Sequence, residues 1–251
     1  MALFALTGQT AAYSQTDADL KLLDKARALY FTGPAPKSVS CDAEIDWDDF
    51  FKRMNAPQDD ATKARLEKLK QIKISITTRG AADTTVTVTG AEPASMSSGI
   101  EQQLRGFFQM YWSEAYGDLL AKKGDMFQLS TNDDGYVEHT KSGMMDVAVS
   151  LNKSFLITQV VLQSPQLSAT VKPGFDAGSD GLLRLRKVDQ VAEMGSSKLA
   201  VVISFDYQKV GAYDFPHLVE MSIPGSYTFH YALSACKADS DSATGAATIS
   251  K

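Results

Sequence analysis

Three histidines, His139, His217 and His230, are the first places to look for acid–base or metal chemistry. They fall on or beside different predicted strands, with no i, i+4 helical pairing and no cysteine next to any of them, so no metal-ligand spacing emerges. His230 shares a polar face with Thr228 and Ser234 and reads as a surface or partner-bonded histidine rather than a general base. Asp46, Asp48 and Asp49 form the densest acidic cluster. Paired carboxylates run glycoside chemistry only at the right separation, and the plainer reading here is a solvated strand end. The segment Phe175–Gly181 matches the first, fifth and sixth positions of a calcium loop through Asp176, Asp180 and Gly181. Gly178 stands third and Lys187 twelfth, where a bidentate glutamate belongs, so the segment reads as a hairpin loop. There is no nucleophile elbow, phosphate loop, dinucleotide fingerprint or His-Glu-x-x-His. The expectation is a non-enzyme with no catalytic residues, no metal and no cofactor. A hydrolase would need one histidine to meet a carboxylate and a nucleophile in space.

Cys41 and Cys236 are the only cysteines, an even count that suits one bridge in an oxidising compartment. Cys41 belongs to the apolar face of its strand. Cys236 continues the face of Thr228, His230, Ala232 and Ser234, opposite Tyr227, Phe229, Tyr231 and Leu233. If both apolar faces point the same way the sulfurs point apart, so a buried free Cys41 is favoured and the bridge is the alternative.

These residues need elements to position them. A helix is predicted from Thr16 to about Tyr30, capped by Thr16, with Asp17 and Asp19 at its positive end and Gly33-Pro34 as its stop. Val39 to Trp47 alternates apolar and polar residues and reads as a strand with one buried face. A short helix over Ala61–Gln71 and strands around Ile72–Ile76 and Val86–Val88 follow. From Ser97 to about Leu120, Ile100, Leu104, Phe107, Phe108, Tyr111, Trp112, Ala115 and Leu119 recur at helical spacing along one broad stripe. From Met126 onward the chain reads as strand after strand, nine in all to Ala235. Asn132-Asp-Asp-Gly135 is the clearest of the intervening turns. The fold class is therefore α+β, a single large curved antiparallel sheet of about a dozen strands with helices on its concave face. A sheet of that size curls, so a half-open β-barrel is expected.

The 251 residues are 44% hydrophobic and 22% charged with a net charge of −5, an ordinary globular balance without the basic footprint of a nucleic-acid binder. No run of 18 apolar residues is present to span a bilayer as a helix. Residues 1–15 read as a leader or signal-peptide remnant, with Ala12-Tyr13-Ser14 as a small-x-small site, which points to a periplasmic or extracellular protein. Residues 16–237 read as one domain, and 238–251, small and polar, as a disordered tail.

The order of elements resembles the periplasmic LolA/LolB-type lipoprotein carriers. So does the segment Ser204-Phe-Asp-Tyr-Gln-Lys-Val-Gly-Ala-Tyr-Asp-Phe-Pro216, in which an aromatic-Asp-Tyr strand passes through a glycine turn to an aromatic-Pro step and the next strand. The resemblance implies a one-sided barrel that binds acyl chains or another apolar ligand between sheet and helices. The expected function is an exported hydrophobic-ligand (lipid or acyl-chain) binding or carrier protein. The alternative is a cell-envelope interaction or scaffold protein with a fully packed barrel. Trp47, Leu104, Phe107, Phe108, Tyr111 and Trp112 are the expected ligand contacts. The expected partners are a hydrophobic small molecule or lipoprotein acyl chains, together with an envelope protein, and no nucleic acid.

Overall fold

In the computed structural model, described for residues 16–31, 36–80, 83–90, 94–112, 119–178 and 180–239, alternating apolar residues build one antiparallel sheet that does not close. Its strands are β1 (Ser38–Ile45), β2 (Lys73–Thr78), β3 (Thr84–Thr89), β4 (Phe127–Thr131), β5 (Gly135–Ser142), β6 (Met145–Asn152), β7 (Ile157–Gln163), β8 (Ser168–Ala177), β9 (Leu183–Met194), β10 (Ser197–Val210), β11 (Tyr213–Ile223) and β12 (Tyr227–Asp239). They lie in the order β3-β2-β1-β12-β11-β10-β9-β8-β7-β6-β5-β4. Two meanders, β1–β3 and β4–β12, are thus joined through the single pairing of the first strand with the last. Among the described residues four helices accompany the sheet: α1 (Asp17–Arg27), α2 (Trp47–Arg53), α3 (Asp60–Leu69) and α4 (Ala94–Tyr111). The α+β class and the curved open sheet expected from the sequence are those observed.

The first strand, the aromatic helix, the last strand and the cysteine pair depart from the sequence reading. The first strand stops at Ile45, and Trp47 opens α2 instead of ending the strand. Asp46 is the N-cap, accepting from the Asp49 amide, and Asp48 and Asp49 sit at the positive end of the helix. The acidic cluster is therefore a helix start, not a solvated strand end. The aromatic helix begins at Ala94, three residues before the expected start, and its α-helical part ends at Tyr111; Leu119 and Leu120 lie outside it. Ala115 and the Gly33-Pro34 stop lie outside the described residues, as do residues 1–15 and 240–251. β12 runs through Asp239, pairing Ala238 with Val39 and Asp239 with Ser38, so the strand continues into the stretch read as tail.

The last departure is the cysteine pair. Cys41 and Cys236 form a disulfide with their Cα atoms 4.1 Å apart. Ser40 pairs with Lys237 and Asp42 with Ser234, so Cys41 faces two residues, Ala235 and Cys236. This is a β-bulge, and Ala235 takes the left-handed φ of 49° that accommodates the extra residue. Beyond the bulge the alternation of β12 is shifted by one, which brings Cys236 to the face of Cys41. Strict period-two counting misses this shift.

α4 lies along β3 and sends its aromatic stripe across the inner face. The other half of that face is tied down by α1 and the residues after it. Leu23 and Ala26 are fully buried, and Arg27 donates to the Ala121 carbonyl at 2.5 Å. Tyr30 accepts the Ile157 amide at 2.5 Å, and Phe31 and Leu29 bond the backbone of Leu183. Asp180 and Asp214 hold the Arg184 guanidinium, which stacks over Phe31 at 4.1 Å.

The disulfide spans 195 residues of chain, so reduction or Cys236→Ser frees a large unfolded-state loop. The expected loss is about 2–5 kcal/mol, a fall in Tm of roughly 5–15 °C in calorimetry with and without reductant. Equal melting curves would show that the β1–β12 ladder needs no covalent tie. Burial pushes the Tyr30 phenol up to about 12 despite the opposing Ile157 amide, and burial likewise raises that of Tyr231. Both favour the protonated phenol in the folded state. Their stabilisation is therefore complete below pH 10.0, the ordinary tyrosine value, and is lost as pH climbs through 12. Tm should hold level up to about pH 10 and then fall, less steeply in Tyr30→Phe.

Candidate functional site

The expected ligand contacts are brought together, but as packed core. Leu104, Phe107, Phe108, Tyr111 and Trp112 are 0–5% exposed. Phe107 meets Phe205 edge-on at 5.7 Å, Phe108 stacks on Phe215 at 5.8 Å, and Tyr111 meets both sheet aromatics at 5.8 Å. Polar ends are satisfied around them. The Tyr111 hydroxyl donates to the Asp214 carbonyl at 3.2 Å. Trp112 Nε1 donates to Thr78 Oγ1 at 2.6 Å, and Thr78 in turn pairs with Thr84 at 2.9 Å. Trp47 stands apart from this group, packed with Phe50 and Phe229 beside β12. Contact between a ligand and the stripe would require α4 to move off the sheet.

The inner face is covered unevenly. Cross-strand register places Val147, Leu162, Ala169, Ala192 and Leu199 in one row over β6 to β10. Alternation puts this row on the same face as Val149, Val160, Val171, Val188 and Ile203, all of them core. Ala169 is buried, but Val147, Leu162 and Ala192 are only half-buried and Leu199 is 45% exposed. Val201, one step further in, and Met221, the register partner of Ile203, are half-buried against the core. The row has small side chains in its middle and larger ones at its flanks, which gives it the cross-section of a trough.

On the opposite face an open cleft of about 1430 Å³ is lined with charge, with Trp47 at its border. His230 sits there between two carboxylates, Nε2 to Glu220 Oε2 at 2.8 Å and Nδ1 to Asp49 Oδ2 at 3.3 Å. Arg186 pairs with Asp206 at 2.6 Å, and Lys70 with Asp48 at 3.0 Å. Ser204 is the register partner of Glu220 and lies beyond it from His230. Both ring nitrogens thus face carboxylates and neither is presented to the serine, so the arrangement clamps α2 to β11. His139 and His217 are exposed on β5 and β11. Among the described residues no group of three His, Cys, Asp or Glu side chains is set to hold a metal ion. The calcium-like segment is the β8–β9 hairpin, with Asp180 bound to Arg184, whose guanidinium holds that carboxyl well below the usual carboxylate range.

Sequence reasoning missed the half-covered row because its members are ordinary strand residues. What marks them is register across five strands, which no single segment reveals.

Phe108→Ala is expected to cost about 3–5 kcal/mol in urea denaturation, since it leaves a cavity between α4 and Phe215. A loss below about 1 kcal/mol would mean that the ring lines open space. No protein-family model, curated protein or solved structure matches this chain.

Proposed function

We propose that this chain is an exported binding protein that holds an acyl chain or similar apolar ligand against the concave face. The observation that carries the reading is the half-covered row Val147–Leu162–Ala169–Ala192–Leu199, an apolar trough beside the packed aromatics of α4. Each methylene that leaves water there contributes about 0.8 kcal/mol, so a chain of modest length binds without any polar anchor. Two further features support the proposal. The Cys41–Cys236 bridge fits an oxidising compartment. The segment that resembles lipoprotein carriers forms the end of β10, a Gly211-Ala212 turn and the start of β11, the strand–turn–strand sequence that the resemblance implies.

The packing of the aromatic stripe favours a second reading, an envelope scaffold that holds no small ligand. Uptake of a fluorescent fatty acid by the purified protein separates the two, together with native mass spectrometry for co-purifying acyl species. Ala192→Trp, which fills the trough, should weaken probe binding at least roughly tenfold with Tm unchanged. A wild-type protein that carries no acyl species and takes up no probe would leave the scaffold reading in place.

A further inference from the structure

A meander places alternate turns at opposite ends of its sheet, and the two ends of this one differ. One end carries the turns β5–β6, β7–β8, β9–β10 and β11–β12, together with the start of β4 and helix α2, which follows β1. The four hairpin turns there, Gly143-Met144, Ser164 to Leu167, Gly195-Ser196 and Pro224 to Ser226, carry no charge, and the charges at this end belong to α2, α3, the residues before β4 and the strand ends. The opposite end presents Asp133 and Asp134, Lys153, Asp180, and Arg79 with Asp83.

The exposed large hydrophobic residues follow this division. Met126 (74%) immediately precedes β4, Met144 (83%) is in the β5–β6 turn, Met194 (58%) ends β9, and Met54 (52%) follows α2. Met54 lines a small cleft with Gly225 and Ser226 of the β11–β12 turn, which fixes it at the same end. Leu199 lies there too. Of the six large hydrophobics exposed among the described residues, only Leu218 lies elsewhere. From β12, beside Met54, to β4, beside Met126, there are eight strand spacings, about 38 Å along the sheet.

Each of these methionines also has a cation within four residues: Arg53, Lys123, Lys141 and Lys198, all exposed. Arg53 pairs with the half-buried Asp49, while Lys141 and Lys198 pair with the exposed Asp146 and Glu193, in surface pairs worth little in water. Flexible apolar tips backed by long-stemmed cations match the layering of a phospholipid interface, acyl region beneath phosphate. We propose that this end of the sheet seats on a phospholipid bilayer, with Met54, Met126, Met144 and Met194 reaching below the headgroups and the four cations at the level of the phosphates. The contact does not rest on the acyl-binding reading, because it uses the four methionines and their cations and none of Val147, Leu162, Ala169, Ala192 and Leu199.

The test is flotation of the full chain with phosphatidylcholine vesicles, with and without phosphatidylglycerol. The wild type should float with both. M54S/M126S/M144S/M194S should partition at least roughly tenfold less, with an unchanged melting curve because all four side chains are exposed. If that variant fails to fold, Met144→Asp alone should still lower partitioning. Replacing the four cations with Gln should weaken binding more on phosphatidylglycerol-containing vesicles than on pure phosphatidylcholine. A wild type that stays in solution at every composition overturns the proposal, as does a folded quadruple variant that floats equally well. Fatty-acid uptake measured without vesicles reports on the trough alone, so the two readings fail separately.

Discussion

The β1–β12 ladder is the constraint on which the rest of the fold depends. Every other strand pair joins neighbours in sequence, through a turn or, between β1 and β2, through α2 and α3, but Ser38 meets Asp239 across almost the whole domain. Without that pairing the chain is two separate meanders, one of three strands and one of nine. α4 lies in the connection between them, after β3 and before β4, so forming the ladder is also what gives its aromatic stripe a floor. A contact of such long range costs loop-closure entropy that local strand pairing does not. The fold meets this cost with a disulfide inside the ladder itself.

The bulge that makes the disulfide possible is part of a local irregularity shared by three strands. β10 shifts register against β11 between Phe205 and Tyr207, and the regular β11–β12 ladder begins only at Leu218 and Ala232. Into this opening Gln208 extends its side chain from β10, donating to the Pro216 and Leu233 carbonyls, each at 3.0 Å. Carbonyls left outside a regular ladder are costly if buried without a donor, so one amide side chain lets the bulge exist within a sheet. The segment Ser204–Pro216 thus derives its character from geometry as well as composition.

Much of the architecture was legible because period two is a strong signal when one face is buried and the other wet. β4, from Phe127 to Thr131, has the bounds its residues imply, and the Asn132–Gly135 turn is held by Asn132 Oδ1, which accepts the amides of Asp134 and Gly135. The failures share one cause. α2 is only seven residues long, too short for a helical stripe to register, and Trp47 keeps the alternation of the strand before it. Its caps, Asp46 at one end and Lys52 with Arg53 at the other, were the available signal. The cysteine pairing failed because one inserted residue inverts every face assignment beyond it. The aromatic stripe was correctly read as amphipathic, but periodicity says that a face is covered and not by what.

That last distinction governs how the molecule divides its apolar surface. A stripe of Phe107, Phe108, Tyr111 and Trp112 set against Phe205 and Phe215 is well suited to filling space, since rings of this size interlock and exclude water. The row from Val147 to Leu199 has the opposite design, with alanines where bulk would close it and only partial cover. Its outer member, Leu199, belongs to the same end of the sheet as the exposed methionines. The row crosses the strands within two residues of the turns at that end, so this half-covered apolar surface belongs to the rim itself, and period two alone settles which face it lies on but not how it is covered.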